Sequence, residues 1–483
     1  MLPALRTFFY IQICLFITLV NTNAQSMGAD NNFVETDHVI EIGGNKIPYK
    51  AIAGTMTIDD ENGNPVASVY STTYKRTDTD DNSTRPITFA FNGGPGSASI
   101  WLHMGGIGPK RVKYDDEGFA PQPPYSVIEN EYSILEDTDL VFIDPVFTGY
   151  SRPVNDGDDD RFLGVVNDAK YISEFVRKYL GKHNRWSSPK FLLGESYGTV
   201  RAGAMARIMQ QDQGIFLNGI IVVSGGSIGL RRVGSMEFAL NIPHFTATAW
   251  YHNKLPAALQ NGTLEEAVKA SQEFAMGDFA SALIKGNSIS ESDKEAIAER
   301  TAHFTGLSKD YILGANLRLD RYKFRAELLR EEGKIIGRLD SRHTGINKDQ
   351  TAERPELDPS EMALFGAFPA AFNDYVRNDL NYDSDLEYVV SADVGWNRYA
   401  VDTWEDYRTA LTHNEHLKVL FTDGYYDKLY YWAEHTIGQF AFPSSVADRI
   451  SIEYYKAGHM MYVKKEALIK MKNDLAEFIK SAS

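Results

Sequence analysis

The sequence predicts an α/β protein: a doubly wound, mostly parallel sheet, with a β-rich region before it and a helical insertion within it. Three observations carry this. Short continuous apolar runs at 87–91, 140–143, 190–193 and 220–223 mark strands buried on both faces. Between them, Val166, Ala169, Ile172, Val176 and Tyr179 recur at helical spacing, and Gly181 offers a stop. Strands alternating with helices imply a parallel sheet covered on both sides. The rhythm breaks over 230–385, which is helix-rich and charged, and resumes at 418–422 and 450–455.

In chain order, the lone charge Arg6 precedes an apolar run from Phe8 to Val20, and Thr22-Asn23-Ala24 sets small residues at a cleavage point. Residues 1–24 are therefore expected to be a signal peptide, and the mature protein to be exported to the periplasm or extracellular space. The run is short for a membrane span and its charged flank weak. The single cysteine, Cys14, lies inside this segment, so the mature chain is expected to carry no disulfide. Gln12 and Ile13 before it lack the small residues that lipid-anchor processing prefers.

Residues 39–75 read as hairpins: Val39–Ile42, a Gly43-Gly44-Asn45 turn, Ile47–Ile58, an Asn62-Gly63-Asn64 turn, then Val66–Tyr74. Asp78–Asn82 is a polar loop. Residues 25–229 and 386–483 are expected to form the catalytic domain, and 230–385 a helical insertion that caps it. Arg321–Lys334 reads as a solvated helix face, and an amphipathic helix over 465–479 closes the chain. Asn82-Ser83-Thr84 and Asn261-Gly262-Thr263 match the N-glycosylation pattern.

The 483 residues are 43% hydrophobic with a net charge of −16. That charge leaves no basic stripe for nucleic acid. It suits a protein kept soluble outside the cell.

The chemistry starts at Phe191-Leu192-Leu193-Gly194-Glu195-Ser196-Tyr197-Gly198, an apolar strand running into G-x-S-x-G, with a helix former over 199–211. Such a turn lifts the Ser196 hydroxyl clear of the sheet, where a base can reach it. A serine needs that base, the base an orienting acid, and the oxyanion its donors. On a doubly wound hydrolase sheet the order is Ser, acid, His. His459, directly after the final strand, is the base, with His435 and His416 as weaker rivals. Asp423 and Asp427 both qualify as the acid. Asn92-Gly93-Gly94-Pro95-Gly96-Ser97, at the end of an early strand, lacks the Gly-Lys-Ser/Thr of a phosphate loop and fits an oxyanion hole. One N–H would come from this loop and the other from Tyr197. No metal or other cofactor is expected, since there is no H-E-x-x-H and no Cys/His cluster.

Asn92-Gly93-Gly94-Pro95-Gly96, Gly194-Glu195-Ser196-Tyr197-Gly198 and Gly458-His459-Met460 together resemble the serine carboxypeptidases of the α/β-hydrolase fold. Asp144-Pro145-Val146-Phe147-Thr148-Gly149-Tyr150-Ser151 adds to the likeness, which is weakest across the insertion. The resemblance implies Ser196 as nucleophile, His459 as base and Asp427 rather than Asp423 as acid. It implies oxyanion N–H groups from Gly94 and Tyr197, and binding of a peptide's C-terminal carboxylate by Asn92 and Glu195. A glutamate that binds a carboxylate must be protonated, so peptide cleavage is expected to be favoured at acidic pH while His459 can still act as base.

The chain departs from the family pattern at four places. Gly106 stands where the second acidic partner of Glu195 is expected, Ala90 where an aromatic residue is usual, Ser97 where a disulfide cysteine is usual, and Phe147 where glycine is common. The expected activity is serine-type carboxypeptidase acting on peptides. The alternative is an esterase or acyltransferase using the same triad on small esters, and the rival from another class is a binding protein on an inactive hydrolase scaffold.

Overall fold

Ten strands form one sheet in the computed structural model, which describes residues 32–79, 81, 83–155, 157, 159–225, 234–396 and 403–483. The expected signal peptide, with Cys14, and the sequon asparagine Asn82 lie outside the described residues. The strands are β1 (Phe33–Ile42), β2 (Asn45–Asp59), β3 (Pro65–Arg76), β4 (Ile87–Phe91), β5 (Asp139–Ile143), β6 (Lys190–Glu195), β7 (Gly219–Val223), β8 (Lys418–Gly424) and β9 (Ile450–Tyr455). Their order across the sheet is β1-β2-β3-β5-β4-β6-β7-β8-β9, and the short strand Arg152–Pro153 pairs with β3.

The first four strands of that order pair antiparallel, and every pair from β5 to β9 is parallel. This is the α/β-hydrolase arrangement: hairpins first, then parallel strands linked by helical crossovers.

Alternate residues of each parallel strand enter different cores. Phe89, Phe91, Leu192, Ile220, Val222 and Phe421 pack with α1 (Val165–Lys182) and α2 (Tyr197–Asp212). Ala90, Phe142, Leu193, Ile221, Val223 and Leu420 pack on the opposite face with the closing helix Lys465–Ala482. Both faces are covered, which is why these strands read as unbroken apolar runs.

The segment expected as an insertion divides into two parts. Residues from Ala239 to Ile336 build a core of their own, centred on Ile242, Phe245, Phe274, Phe279 and Phe324. The helices Pro359–Phe365 and Ala367–Asn378 instead bury Leu364, Phe368, Phe372 and Tyr375 in the sheet's own core, beside Phe142. Within the first part, Asn261-Gly262-Thr263 also serves a helix start: Thr263 and Glu266 form a capping box for Leu264–Phe274.

One buried ion cluster ties the sheet's lower edge together. Asp139, at the start of β5, is fully buried and meets Arg85 Nε at 2.9 Å and Arg185 Nη1 at 2.5 Å. Asp139→Ala would strand two desolvated guanidinium groups. The expected loss is about 3–5 kcal/mol of unfolding free energy, measured by urea denaturation; a loss below about 1 kcal/mol would mean solvent reaches the cluster.

Candidate active site

Strand β6 ends in a turn whose geometry demands the residues it has. Ser196 sits at φ 58°, ψ −122°, a strained conformation for a non-glycine residue. A Cβ on Gly194 would lie 2.3 Å from the Gly198 oxygen, and one on Gly198 would lie 2.7 Å from the Phe91 oxygen. The turn can close only with glycine at both places, and its hydroxyl then stands at the carboxyl edge of the sheet. Ser196 N–H donates to the Val223 carbonyl at 2.9 Å, which anchors the elbow to the neighbouring strand.

The partners arrive from distant segments. His459 follows β9 and is 4% exposed. Its Nδ1 lies 2.8 Å from Oδ2 of Asp427, itself fully buried after β8. This bond orients the ring, leaving Nε2 for proton transfer. Burial works to raise the Asp427 pKa. Attraction and hydrogen bonding from His459, with Lys428 and His244 nearby, prevail and hold it below the usual carboxylate range.

Asp423 behaves differently. Its burial, reinforced by the charge of Asp427, pushes its pKa well above the ordinary value. The structure thus brings Asp427, not Asp423, to the imidazole. Of the rival histidines, His416 is exposed and lies 3.4 Å from Glu415, and His435 sits on the helix Trp432–Phe440. Neither lines the cleft described next.

That cleft has a volume of about 420 Å³ and is lined by Ser196, His459, Asn92, Gly93, Gly94 and Glu195. Gly93 presses so closely on the elbow that a Cβ there would lie 2.4 Å from the Tyr197 nitrogen. The glycine loop and the first N–H of α2 therefore sit side by side, as a pair of oxyanion donors requires. Trp101, Leu364, Phe365 and Met460 form an apolar wall, and Arg338, Glu361 and Tyr322 add polar groups; all but Trp101 and Met460 come from the inserted segment.

Glu195 and Asn92 meet in this cleft. Glu195 is 3% exposed, and burial pushes its pKa up to about 7 against the pull of His459, Tyr462 and Asn92. Tyr462 Oη donates to Glu195 Oε2 at 2.6 Å. Asn92 Oδ1 accepts the Leu102 N–H at 3.0 Å, so its amide N–H₂ is the donor that meets Glu195 and Tyr462.

Several contributors were not legible in the sequence. Arg201, 1% exposed at its side chain, pairs with Asp168 at 2.7 Å and donates to the Asn92 carbonyl at 2.7 Å. Tyr197 Oη also donates to Asp168, at 3.0 Å. One buried cation thus fastens α1, the elbow and the glycine loop together. Leu339, from the inserted segment, accepts the His459 backbone N–H at 2.6 Å, and Ser224 Oγ donates to the His459 carbonyl at 2.6 Å.

The departures noted in the sequence have local explanations. Phe147 adopts φ 76°, the left-handed backbone that a glycine would supply without strain, and its ring packs edge-on against Phe162. Ser97 Oγ accepts from Trp101 Nε1 at 2.8 Å. Ala90 is fully buried in the sheet core. At Gly106 there is no room for a side chain: a Cβ would lie 2.6 Å from Leu468 Cδ1 and 2.8 Å from Tyr462 Cβ.

Comparison with known proteins adds the following. The profile of the family described as serine carboxypeptidase matches residues 44–437, a span that ends before His459. Serine carboxypeptidase-like 2 of Arabidopsis thaliana is 34% identical over 123 residues, 23% of this chain and 25% of that protein. Serine carboxypeptidase-like 11 of the same plant is 30% identical over 149 residues, 30% of this chain and 33% of that protein. The chain thus aligns with only about a quarter to a third of these curated relatives' length. Among solved structures, Kex1(delta)p, a prohormone-processing carboxypeptidase from Saccharomyces cerevisiae, superimposes with a TM-score of 0.53 at 16% identity, covering 90% of this chain and 92% of that one.

Proposed function

Because the chain belongs to the serine carboxypeptidase family, we propose that it is an exported serine-type carboxypeptidase, removing the last residue of peptides through an acyl-enzyme. The observation that carries this is the position of Glu195: a buried carboxyl, adjacent in sequence to Ser196, in one cleft with His459 and Asn92. A serine hydrolase has no need of such a group for ester or amide chemistry as such. A group that must recognise a terminal carboxylate does.

In this reading the Ser196 hydroxyl attacks the last peptide carbonyl while His459 takes its proton. Gly94 and Tyr197 N–H groups hold the oxyanion. His459 then passes the proton to the departing amine, which leaves as the free C-terminal amino acid. Water, deprotonated by the same imidazole, attacks the acyl-enzyme and releases the shortened peptide. Asp427 keeps the ring in the required tautomer throughout. The apolar wall of Trp101, Leu364, Phe365 and Met460 favours peptides with apolar side chains at the scissile bond.

The sign of the pH dependence follows from Glu195. Its raised value of about 7 means that the neutral, donating form prevails below that pH and is lost above it. The kcat/KM for peptides with a free C-terminus should fall about tenfold per pH unit on the alkaline side. Glu195→Gln, which donates at every pH, should remove that fall; an alkaline limb unchanged in this variant would exclude Glu195 as its source.

The reading is tested by a matched pair of peptides, one with a free and one with an amidated C-terminus. The free acid should be cleaved at least about a hundredfold faster, since the amide leaves Asn92 and Glu195 without their charged partner. Equal turnover of the two peptides would exclude carboxylate recognition, and turnover of a small ester with neither peptide cleaved would favour the second reading, an esterase or acyltransferase.

The N-terminal segment supports export to the periplasm or extracellular space, and members of the family are secreted or lumenal. No helix among the described residues is long and apolar enough to cross a membrane. Peptides are the expected partners and nucleic acid is not. The segment from Ala239 to Ile336 acts as a cap, with Leu339 and Arg338 just beyond it reaching the cleft.

A further inference from the structure

We propose that Tyr462 is a positioning residue for carboxylate recognition: its phenol donates to Glu195 Oε2 and leaves Oε1 to carry the proton that a peptide's terminal carboxylate accepts. This rests on the carboxypeptidase reading and deepens it. Tyr462 Oη lies 2.6 Å from Glu195 Oε2. Glu195 lines the cleft and Tyr462 does not, so the phenol approaches from behind. The same loop carries His459 and Tyr462, three residues apart.

The surroundings are shaped around this ring. A Cβ on Gly105 would lie 2.2 Å from Tyr462 Cε2, and one on Gly106 would lie 2.8 Å from Tyr462 Cβ. Both glycines are needed for the phenol to reach Glu195. A tyrosine arriving from the C-terminal loop thus fills the space beside Gly106, where a side chain from the helical turn His103–Ile107 would otherwise stand.

A phenol differs from a second carboxyl in a way that can be measured. Burial beside Glu195 keeps it neutral far above its ordinary range, so it is always a donor and never competes for the Glu195 proton. The groups facing Glu195 are the His459 imidazole, Asp427, Asn92 and Tyr462, with Tyr114 beyond the phenol. Of these, Tyr462 and Asn92 are neutral donors to the carboxylate, and Tyr462 has the larger effect of the two. It favours the ionised form, so its loss must move the Glu195 titration upward.

The test compares the parent enzyme, Glu195→Gln and Tyr462→Phe over pH, using a peptide with a free C-terminus and a small ester. Tyr462→Phe removes one oxygen and keeps the ring. Its alkaline limb on the peptide should move up by about half to one pH unit, with KM on the acidic side raised about three- to tenfold. The ester's pH profile should not shift. Gly105→Ala, which displaces the ring, should reproduce the peptide shift. An unmoved or lowered limb in Tyr462→Phe, or an equal shift on the ester, would overturn the inference. If Glu195→Gln keeps the parent's alkaline limb, the carboxylate reading itself falls and the inference with it; if Glu195→Gln abolishes the limb, that reading stands and Tyr462→Phe alone decides.

Discussion

Ser196→Ala is expected to lower kcat by about 10⁵- to 10⁶-fold and to abolish covalent labelling by a fluorophosphonate probe. The size follows from the site's division of labour. Without the hydroxyl, no acyl-enzyme forms and His459 has no proton to accept. What remains is the contribution of the oxyanion donors at Gly94 and Tyr197 and of substrate binding, about 10³- to 10⁴-fold over water in a triad enzyme. The variant should fold normally. The strained backbone at φ 58° is imposed by Gly194, Gly198 and the Val223 hydrogen bond, none of which the substitution touches. Alanine tolerates that conformation no better than serine, so the melting temperature should stay within a few degrees. Retained labelling would place the nucleophile elsewhere and end the enzymatic account as drawn.

Asp427→Asn should lower kcat by about 10⁴-fold, and Asp423→Asn by less than about tenfold. The two residues stand four positions apart, Asp423 near the end of β8 and Asp427 in the turn after it, and both are fully buried. Only Asp427 reaches His459 Nδ1, at 2.8 Å. An asparagine there can present its amide N–H₂ to the ring, which then carries its proton on the wrong nitrogen. Burial and the Asp427 charge both disfavour the ionised form of Asp423, so replacing it with a neutral amide is expected to change little electrostatically. Parallel measurements of kcat on one peptide separate the pair. Equal losses, or a larger loss at Asp423, would contradict the assignment of the acid.

What the sequence disclosed and what it withheld follow from how local each signal is. The parallel strands were legible because both faces of β4, β6 and β7 are buried, which forces unbroken apolar runs. The elbow was legible because its constraint acts within five residues, Gly194 to Gly198. The acid was not separable by residue pattern alone: which carboxyl turns toward the imidazole depends on the turn after β8, and only the family resemblance favoured Asp427. Arg201, Asp168 and Tyr462 were missed for a related reason. Each looks like an ordinary helix or loop residue until segments remote in the chain close around it. The division of the inserted segment was hidden too, since the helix Ala367–Asn378 is as amphipathic as a cap helix and only the fold shows that its apolar face joins the sheet core.

The account depends on a nucleophile and a carboxylate-recognising pair sharing one cleft, and a mass-spectrometric digest in ¹⁸O-labelled water tests that most directly. Incubated with an unblocked peptide below pH 7, the enzyme should produce a ladder shortened one residue at a time from the carboxyl end. Each shortened peptide should carry the label at its new terminus. Internal fragments, or no shortening of a peptide whose free carboxylate is accessible, would contradict it.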